Sequence, residues 1–438
     1  MRINVEAHDM ERSLRNFLLE GIFSQITYSL ITVTIISSYL AAAKATPLVI
    51  SILVSIPHLT TLAQIVSAKF IETRNRKKIS NMASSIAKIS LLGIAVISFI
   101  GGEHEIFFFA ILFLVFNICE DIYTVTWNSW TRDLIPGGKR GEIISKRSVY
   151  GKIFATFAII PQIAIFEHIG KTAFSALFLI SAIFGLLGVY FLRKIENVKS
   201  NRISEARLIE PLKNTNFMKI TIIVSIFHFA MSSAKTFFAV YILEILNYSL
   251  SIVLFFALLA HLSSIYSFRI SGVFSDRLGN KPLFLLSFLT FSVSAILFSI
   301  PIKDAFLILI LVYILHGFYT SAPTIAMANA IADLTYRRHS APYYALSNWT
   351  IDAFSAFGCV FAGFLITMFY EYGELAYRML FILSSAISLI LIPAMKLYDE
   401  FSPPSVLAIL KVPKIVLDDL GSVKKELRKF NRKRETLD

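Results

Sequence analysis

Lys88, Glu120, Asp121, Lys152, Lys235, His261, His316 and Asp352 stand well inside apolar runs of this sequence, and Glu20 lies nearer the end of another. A charge at membrane depth is costly unless it meets a partner, a proton or a water-lined cavity. Such residues therefore form structural ion pairs, carry protons or bind a polar solute. Helical spacing sorts them: Asn117, Asp121, Thr124 and Asn128 share one face, as do His228, Ser232 and Lys235, while His316, Tyr319 and Thr320 cluster on a third helix. Asp121 and Lys235 read equally as a substrate or coupling pair and as a buried structural pair. Glu120, about 100° round the helix from Asp121, reads at least as well as a structural partner of Lys152 as it does as a substrate or coupling group. Lys88 reads as structurally paired or snorkelling, and the lone histidines His58, His228 and His261 read first as satisfied structural residues. A Gly-x-x-x-x-Gly-Lys-Ser/Thr loop, a His-Glu-x-x-His pattern and a cysteine metal site are all missing from the sequence, so neither ATP hydrolysis nor a membrane-embedded enzyme is expected, and no cofactor or metal.

The elements that carry these residues follow from composition. The chain has 438 residues, 56% hydrophobic and only 16% charged, where soluble domains carry about 25% charge. A bilayer-crossing helix needs about 20 apolar residues. Runs of that length occur at 14–41, 46–70, 80–100, 105–129, 145–167, 172–192, 217–245, 249–271, 281–301, 305–331, 342–370 and 375–397, numbered here as spans 1 to 12. They do not alternate as barrel strands would. The polar, mixed-charge start from Met1 to Arg15 is unlike a cleavable signal, so span 1 is expected to be retained.

Lys and Arg crowd the even connections and both ends of the chain, leaving Lys44, Lys171, Lys303 and Arg378 on the opposite side. That asymmetry predicts cytoplasmic termini and accounts for the net charge of +13 without a nucleic-acid partner. Trp127, Trp130 and Trp349 fall near the same interface and read as membrane anchors. The basic tail, 398–438, reads equally as an amphipathic surface segment and as a solvated one.

The longest internal connection separates two sets of six spans, and each set carries a related loop. Ala68 to Lys77, with Glu72, Asn75 and Arg76, corresponds to Gly272-x-x-x-Asp276-Arg277-x-Gly279-x-Lys281, and Asp133-Leu134 corresponds to Asp333-Leu334, both about 200 residues apart. The second loop resembles the signature of the major facilitator superfamily. The stretch from Trp127 through Asp133 and Pro136 to Arg140 is similar to that family's connection between spans 4 and 5. Span 5 has Gly151 and Pro161 but lacks the drug/proton antiporter pattern, which weighs against multidrug efflux.

The resemblance implies an all-α polytopic membrane protein with twelve transmembrane helices in two pseudo-symmetric six-helix halves. The halves are 1–193 and 217–397, joined by a cytoplasmic linker at 194–216. It implies a cavity lined by spans 1, 4, 7 and 10 with 2, 5, 8 and 11 beside them, which gathers Glu20, Asn117, Glu120, Asp121, Lys152, His228, Lys235, His316, Tyr319 and Asp352. Glu72, Arg76, Asp133, Arg140, Gly272, Asp276, Arg277, Gly279 and Lys281 are then the cytoplasmic gate, with Gly272 allowing close helix approach and Gly279 a tight turn.

The expected function is secondary transport of a small polar or ionic solute across the cytoplasmic membrane by alternating access, by a monomer. Protons are the preferred coupling ion, on Glu20, Asp121, His316 and Asp352. Facilitative uniport, drug efflux and a non-transporting sensor are the alternatives. The topology is tested by labelling: in a background lacking Cys119 and Cys359, Glu205→Cys and Lys303→Cys are expected to react from opposite sides of a sealed membrane. Labelling from one side contradicts the twelve-span reading.

Overall fold

The computed structural model describes residues 2–61, 64, 75–134, 140–169, 172–197, 210–300, 306–335 and 340–400. Among these the chain is helical, with no strand. Eleven helices are long and apolar enough to cross a membrane: Arg12–Ala42, Arg76–Ile100, Glu105–Trp127, Lys146–Phe166, Ala173–Arg193, Thr215–Ile245, Leu250–Ser275, Asn280–Ser299, Phe306–Leu334, Pro342–Met368 and Glu374–Leu397. They correspond to spans 1 and 3 to 12. The helix Pro47–Thr60 begins span 2, whose later part is largely outside the described residues, as is the tail beyond residue 400. The protein is a multi-pass, all-α membrane protein.

Span 1 is not one helix. It runs to Ser29, breaks, and resumes as Val33–Ala42, where the Thr32 side chain accepts from the Ile35 amide at 3.4 Å. The β-branched run Ile31-Thr32-Val33-Thr34 weakens helical continuity, and the Thr32 cap gives the backbone another way to satisfy its donors. Span 7 ends in a π-helical turn, Tyr241–Ile245. Pro57, Pro161, Pro323 and Pro393 lie inside helices, which membrane helices tolerate when neighbours satisfy the freed backbone groups.

The helices form two compact units, Met1–Ala206 with His228–Leu258 and Asn348–Phe381, and Arg207–Phe227 with Leu259–Ser347 and Ile382–Asp438. In the first unit Tyr39 packs against Phe109, Phe174 and Phe178 with ring centroids 5.0, 5.5 and 5.3 Å away. In the second, the buried Phe227 meets Phe288 at 4.7 Å. Lipid offers no hydrophobic gain for helix association, so close contact and interhelical hydroxyl bonds take over. Within the first unit Ser181 donates to the Thr27 carbonyl at 3.0 Å and Thr27 returns a bond to the Ser181 carbonyl at 3.3 Å. Within the second, Ser385 and Ser292 exchange the same kind of bond at 3.1 and 3.3 Å, and Ser321 donates to Ser267 at 2.7 Å. Phe99, Leu307 and Phe357 are among the large apolar side chains left outside these contacts, each more than two-thirds exposed.

Trp130 departs from the anchor role expected of it. It is fully buried, and its indole N–H donates to the Glu196 carbonyl at 3.1 Å. The apolar body is taken up by the packing of spans 1, 3, 4 and 6, where Phe17, Ala83, Leu134 and Leu192 share its cluster.

Spans 7 and 11 touch backbone to backbone: Ser233 donates to the Gly358 carbonyl at 2.9 Å, and a Cβ on Gly358 would run into the Phe229 carbonyl oxygen. Backbone cannot yield as a flexible side chain does. Gly358→Val is therefore expected to destabilise the protein by about 1–3 kcal/mol, read as a lower midpoint of denaturation in detergent. An unchanged midpoint would mean the two helices separate freely.

Candidate functional site

Two of the predicted acids are tied into the first unit by fixed partners. Glu20 is buried and accepts from Arg147 Nη2 at 2.6 Å, the Tyr123 hydroxyl at 2.6 Å and the Ser24 hydroxyl at 2.7 Å. The Arg147 guanidinium lies 4.3 Å from the Trp127 ring centroid and 5.1 Å from that of Phe17, beside two rings that stack on each other at 5.5 Å. Gly21 makes room for it, since a Cβ there would overlap the arginine stem.

Glu120 takes Lys88, 2.6 Å away, and the Tyr28 hydroxyl, not the Lys152 expected from sequence. Lys88 is almost wholly inaccessible, at 2% exposure, and its stem fits against Gly185, where a Cβ would come within 2.7 Å of Lys88 Cδ. Span 3 packs closely on spans 4 and 6, so a long lysine rooted there reaches the acid.

A second group gathers on spans 2, 4, 7 and 11, all within the first unit. His58 Nδ1 lies 3.0 Å from Asp352 Oδ1. Gln64 donates to Asp121 Oδ1 at 2.7 Å, with Thr60 as a second donor. The charges of Asp352 and Asp121 act on one another, and those of His58 and Lys235 act on His228. Lys235 lies beside Cys359 and, among the described residues, has no hydrogen-bond or ion-pair partner. The expected Lys235–Asp121 contact is thus not made. Asn117 turns back on its own helix, donating to the Phe113 carbonyl at 2.7 Å. His228 to Lys235 and Asp352 to Cys359 are each two helical turns, about 10 Å, so spans 7 and 11 hold the lysine on one level and the histidine and aspartate on the next.

His316 and Tyr319 belong to the second unit. There the His316 ring centroid is 5.9 Å from Tyr313 and 5.1 Å from Tyr319, and fully buried Tyr319 is 5.3 Å from Phe291. Thr320 donates to the His316 carbonyl at 2.7 Å, and the ring contacts make this face largely aromatic.

Of the gate residues, Glu72 and the side chains of Asp133, Arg140, Asp276 and Arg277 lie outside the described residues, and Arg76 opens span 3 half-buried. Gly279 adopts φ +84°, the left-handed turn its residue type suits. Gly272 is not at a close described contact: a Cβ there would meet nothing within 4 Å. Residues not singled out in the sequence complete this end of the second unit. Glu400 accepts from the Asn280 and Lys281 amides, the latter at 3.2 Å, and so caps span 9. Lys281 Nζ donates to the Tyr398 carbonyl at 2.9 Å, and Asn280 donates to Asp333 at 3.1 Å. Asn329 donates to Ser275 at 2.7 Å, and Ser275 to Asn280 at 2.6 Å. Asn329 stands four residues before the repeated Asp333-Leu334, while Glu400 had no local signal.

The sequence matches the family model for the Major Facilitator Superfamily over residues 17–271 and 267–429. No curated protein sequence matches the chain. Among solved structures, a variant of the nucleoside transporter NupG is similar at 14% identity, with 88% of this chain and 100% of that one covered and a TM-score of 0.73. A bacterial homolog of the human lysosomal transporter Spinster gives 15% identity, 90% and 99% coverage and a TM-score of 0.66. A POT family transporter in complex with a thioalcohol-conjugated peptide gives 12%, 92% and 96%, and 0.67. At such identity these likenesses establish the fold.

The Lys88–Glu120 pair allows a direct test of structural pairing. Lys88→Met leaves a buried carboxylate and is expected to cost about 3–5 kcal/mol, while Lys88→Met with Glu120→Leu recovers most of that loss. Denaturation midpoints of the three proteins in detergent decide it. A double variant as unstable as the single one would show that Glu120 is needed for more than its pair.

Proposed function

The chain belongs to the Major Facilitator Superfamily, and on that premise we propose that it is a proton-coupled secondary transporter of a small polar or ionic solute, working by alternating access. The observation that carries this reading is the group on spans 2, 4, 7 and 11, where Asp352, His58 and Asp121 stand together with Lys235 at membrane depth. Charged and titratable groups clustered on several spans suit a cavity that handles polar cargo and protons, not a lipid-facing surface. Similar folds carry nucleosides and bind peptides, which agrees with a polar cargo.

In this reading Asp352 and His58 exchange the coupling proton and Asp121 orients the solute. Glu20 and Glu120, held by Arg147 and Lys88, brace the first six spans. Residues 1–193 and 217–397 are the moving halves, and the loop at Gly279 to Lys281 together with its counterpart at Glu72 to Arg76 closes the cytoplasmic side. The protein works as a monomer in the cytoplasmic membrane with both termini inside, and catalyses no reaction.

Reconstituted protein tests it. Uptake of labelled uridine, dialanine and lactate into liposomes is followed with and without an imposed pH gradient. At least one solute is expected to accumulate only with the gradient. Asp352→Asn is expected to abolish that accumulation while keeping equal-pH exchange within about twofold, since it removes the proton and not the path. Gradient-independent equilibration by the wild type indicates uniport instead.

A further inference from the structure

We infer that the transported solute carries a single negative charge and that the Lys235 ammonium receives it. The inference rests on reading this group as the transport site. It follows from how charge is matched within the first unit. Glu20 has Arg147, Glu120 has Lys88, Asp352 has His58, and Asp121 has Gln64 and Thr60. Each of these four carboxylates at membrane depth has a donor from the protein. Lys235 alone of the set's cations has no described partner.

No described hydroxyl accepts from it either, and the nearby ones donate to carbonyls. Ser233 donates to the Phe229 and Gly358 carbonyls at 2.8 and 2.9 Å, and Thr236 to the Ser232 carbonyl at 2.8 Å. Cys359, the nearest group of opposite tendency, is a neutral thiol in ordinary conditions. Lys235 is nonetheless half-buried and not fully enclosed.

That asymmetry decides the sign of the cargo. An incoming cation must displace His58 from Asp352, or Gln64 from Asp121, before it meets a bare carboxylate. An incoming anion meets an ammonium with nothing to displace, and it relieves the cost of an uncompensated charge at membrane depth. A lysine is a compact point charge with three donors, suited to one anionic group and not to bidentate clamping. A monocarboxylate is the simplest solute of this class, and its entry with one proton carried by the Asp352–His58 pair is electrically neutral.

Purified full-length protein is titrated with a panel of sodium monocarboxylates from acetate to benzoate, each compared with its neutral amide and with sodium chloride at equal ionic strength. Thermal stability is the readout. At least one acid is expected to stabilise the wild type where its amide does not, Lys235→Met to weaken that apparent affinity at least tenfold, and Lys235→Arg to retain part of it. Without ligand, Lys235→Met is expected to be as stable as the wild type or more so, because the lysine holds no protein partner. Stabilisation by the amides equal to that by the acids, an unchanged response in Lys235→Met, no response to any acid, or a clear loss of ligand-free stability in Lys235→Met each overturns the inference. Liposome exchange separates the two readings. Anion binding through Lys235 without exchange of any solute keeps Lys235 as an anion site and defeats transport, whereas exchange of a neutral solute indifferent to Lys235→Met keeps transport and defeats this inference.

Discussion

The cost of an unmatched charge in a medium that cannot solvate it governs the first unit. Glu20 and Glu120 are acceptable at membrane depth because Arg147 and Lys88 come within 2.6 Å of them and tyrosine hydroxyls add further donors. Those pairs in turn dictate small residues nearby. Gly21 exists as space for the Arg147 stem and Gly185 as space for Lys88, so two glycines in helices, normally unfavourable, are explained by side chains that arrive from elsewhere. The constraint runs from charge to packing, not the reverse.

Where apolar packing alone must join helices, hydroxyls and glycines do the same service by another route. Reciprocal serine and threonine bonds to carbonyls on a neighbouring span join spans 1 and 6, and again spans 9 and 12. Such bonds are individually modest, about 0.6 kcal/mol on average in membranes.

The fold was legible because hydrocarbon thickness and backbone hydrogen bonding impose a length and a composition on each span, which hydropathy reads directly. The turn at Gly279 was legible too, since a positive φ selects its residue type. Partners were not. Glu120 lies 32 residues from Lys88 and His58 lies 294 from Asp352, and no helical periodicity reports which faces meet across such separations. Lys152 was the arithmetically convenient partner for Glu120, and the packing of span 3 against span 4 made Lys88 the real one. Trp130 looked like an interface anchor by its position, but its neighbours Phe17 and Leu192 arrive from other spans and cover it. The break in span 1 left a trace in its β-branched run, which hydropathy averages away.

The His58–Asp352 contact joins span 2 to span 11, and so joins the first six spans to a helix from the last six, inside one compact unit. Two other contacts do likewise: Ser251 donates to the Ile163 carbonyl at 3.2 Å, and Gly363 lies where any Cβ would strike Ser51. If the two sequence halves rock against each other, these contacts must part together. The glycine and serine contacts part at little cost, while separating an ionised Asp352 from a charged His58 leaves two unmatched charges at membrane depth. In the proposed cycle a proton delivered to this pair removes one of them, so the step that loads the proton would also lower the barrier to opening this interface. In the proposed cycle coupling needs no relay between distant sites: the same pair would carry the proton and hold the halves together, and the anion proposed at Lys235, about two turns along the same helices, would add its charge to the same local balance.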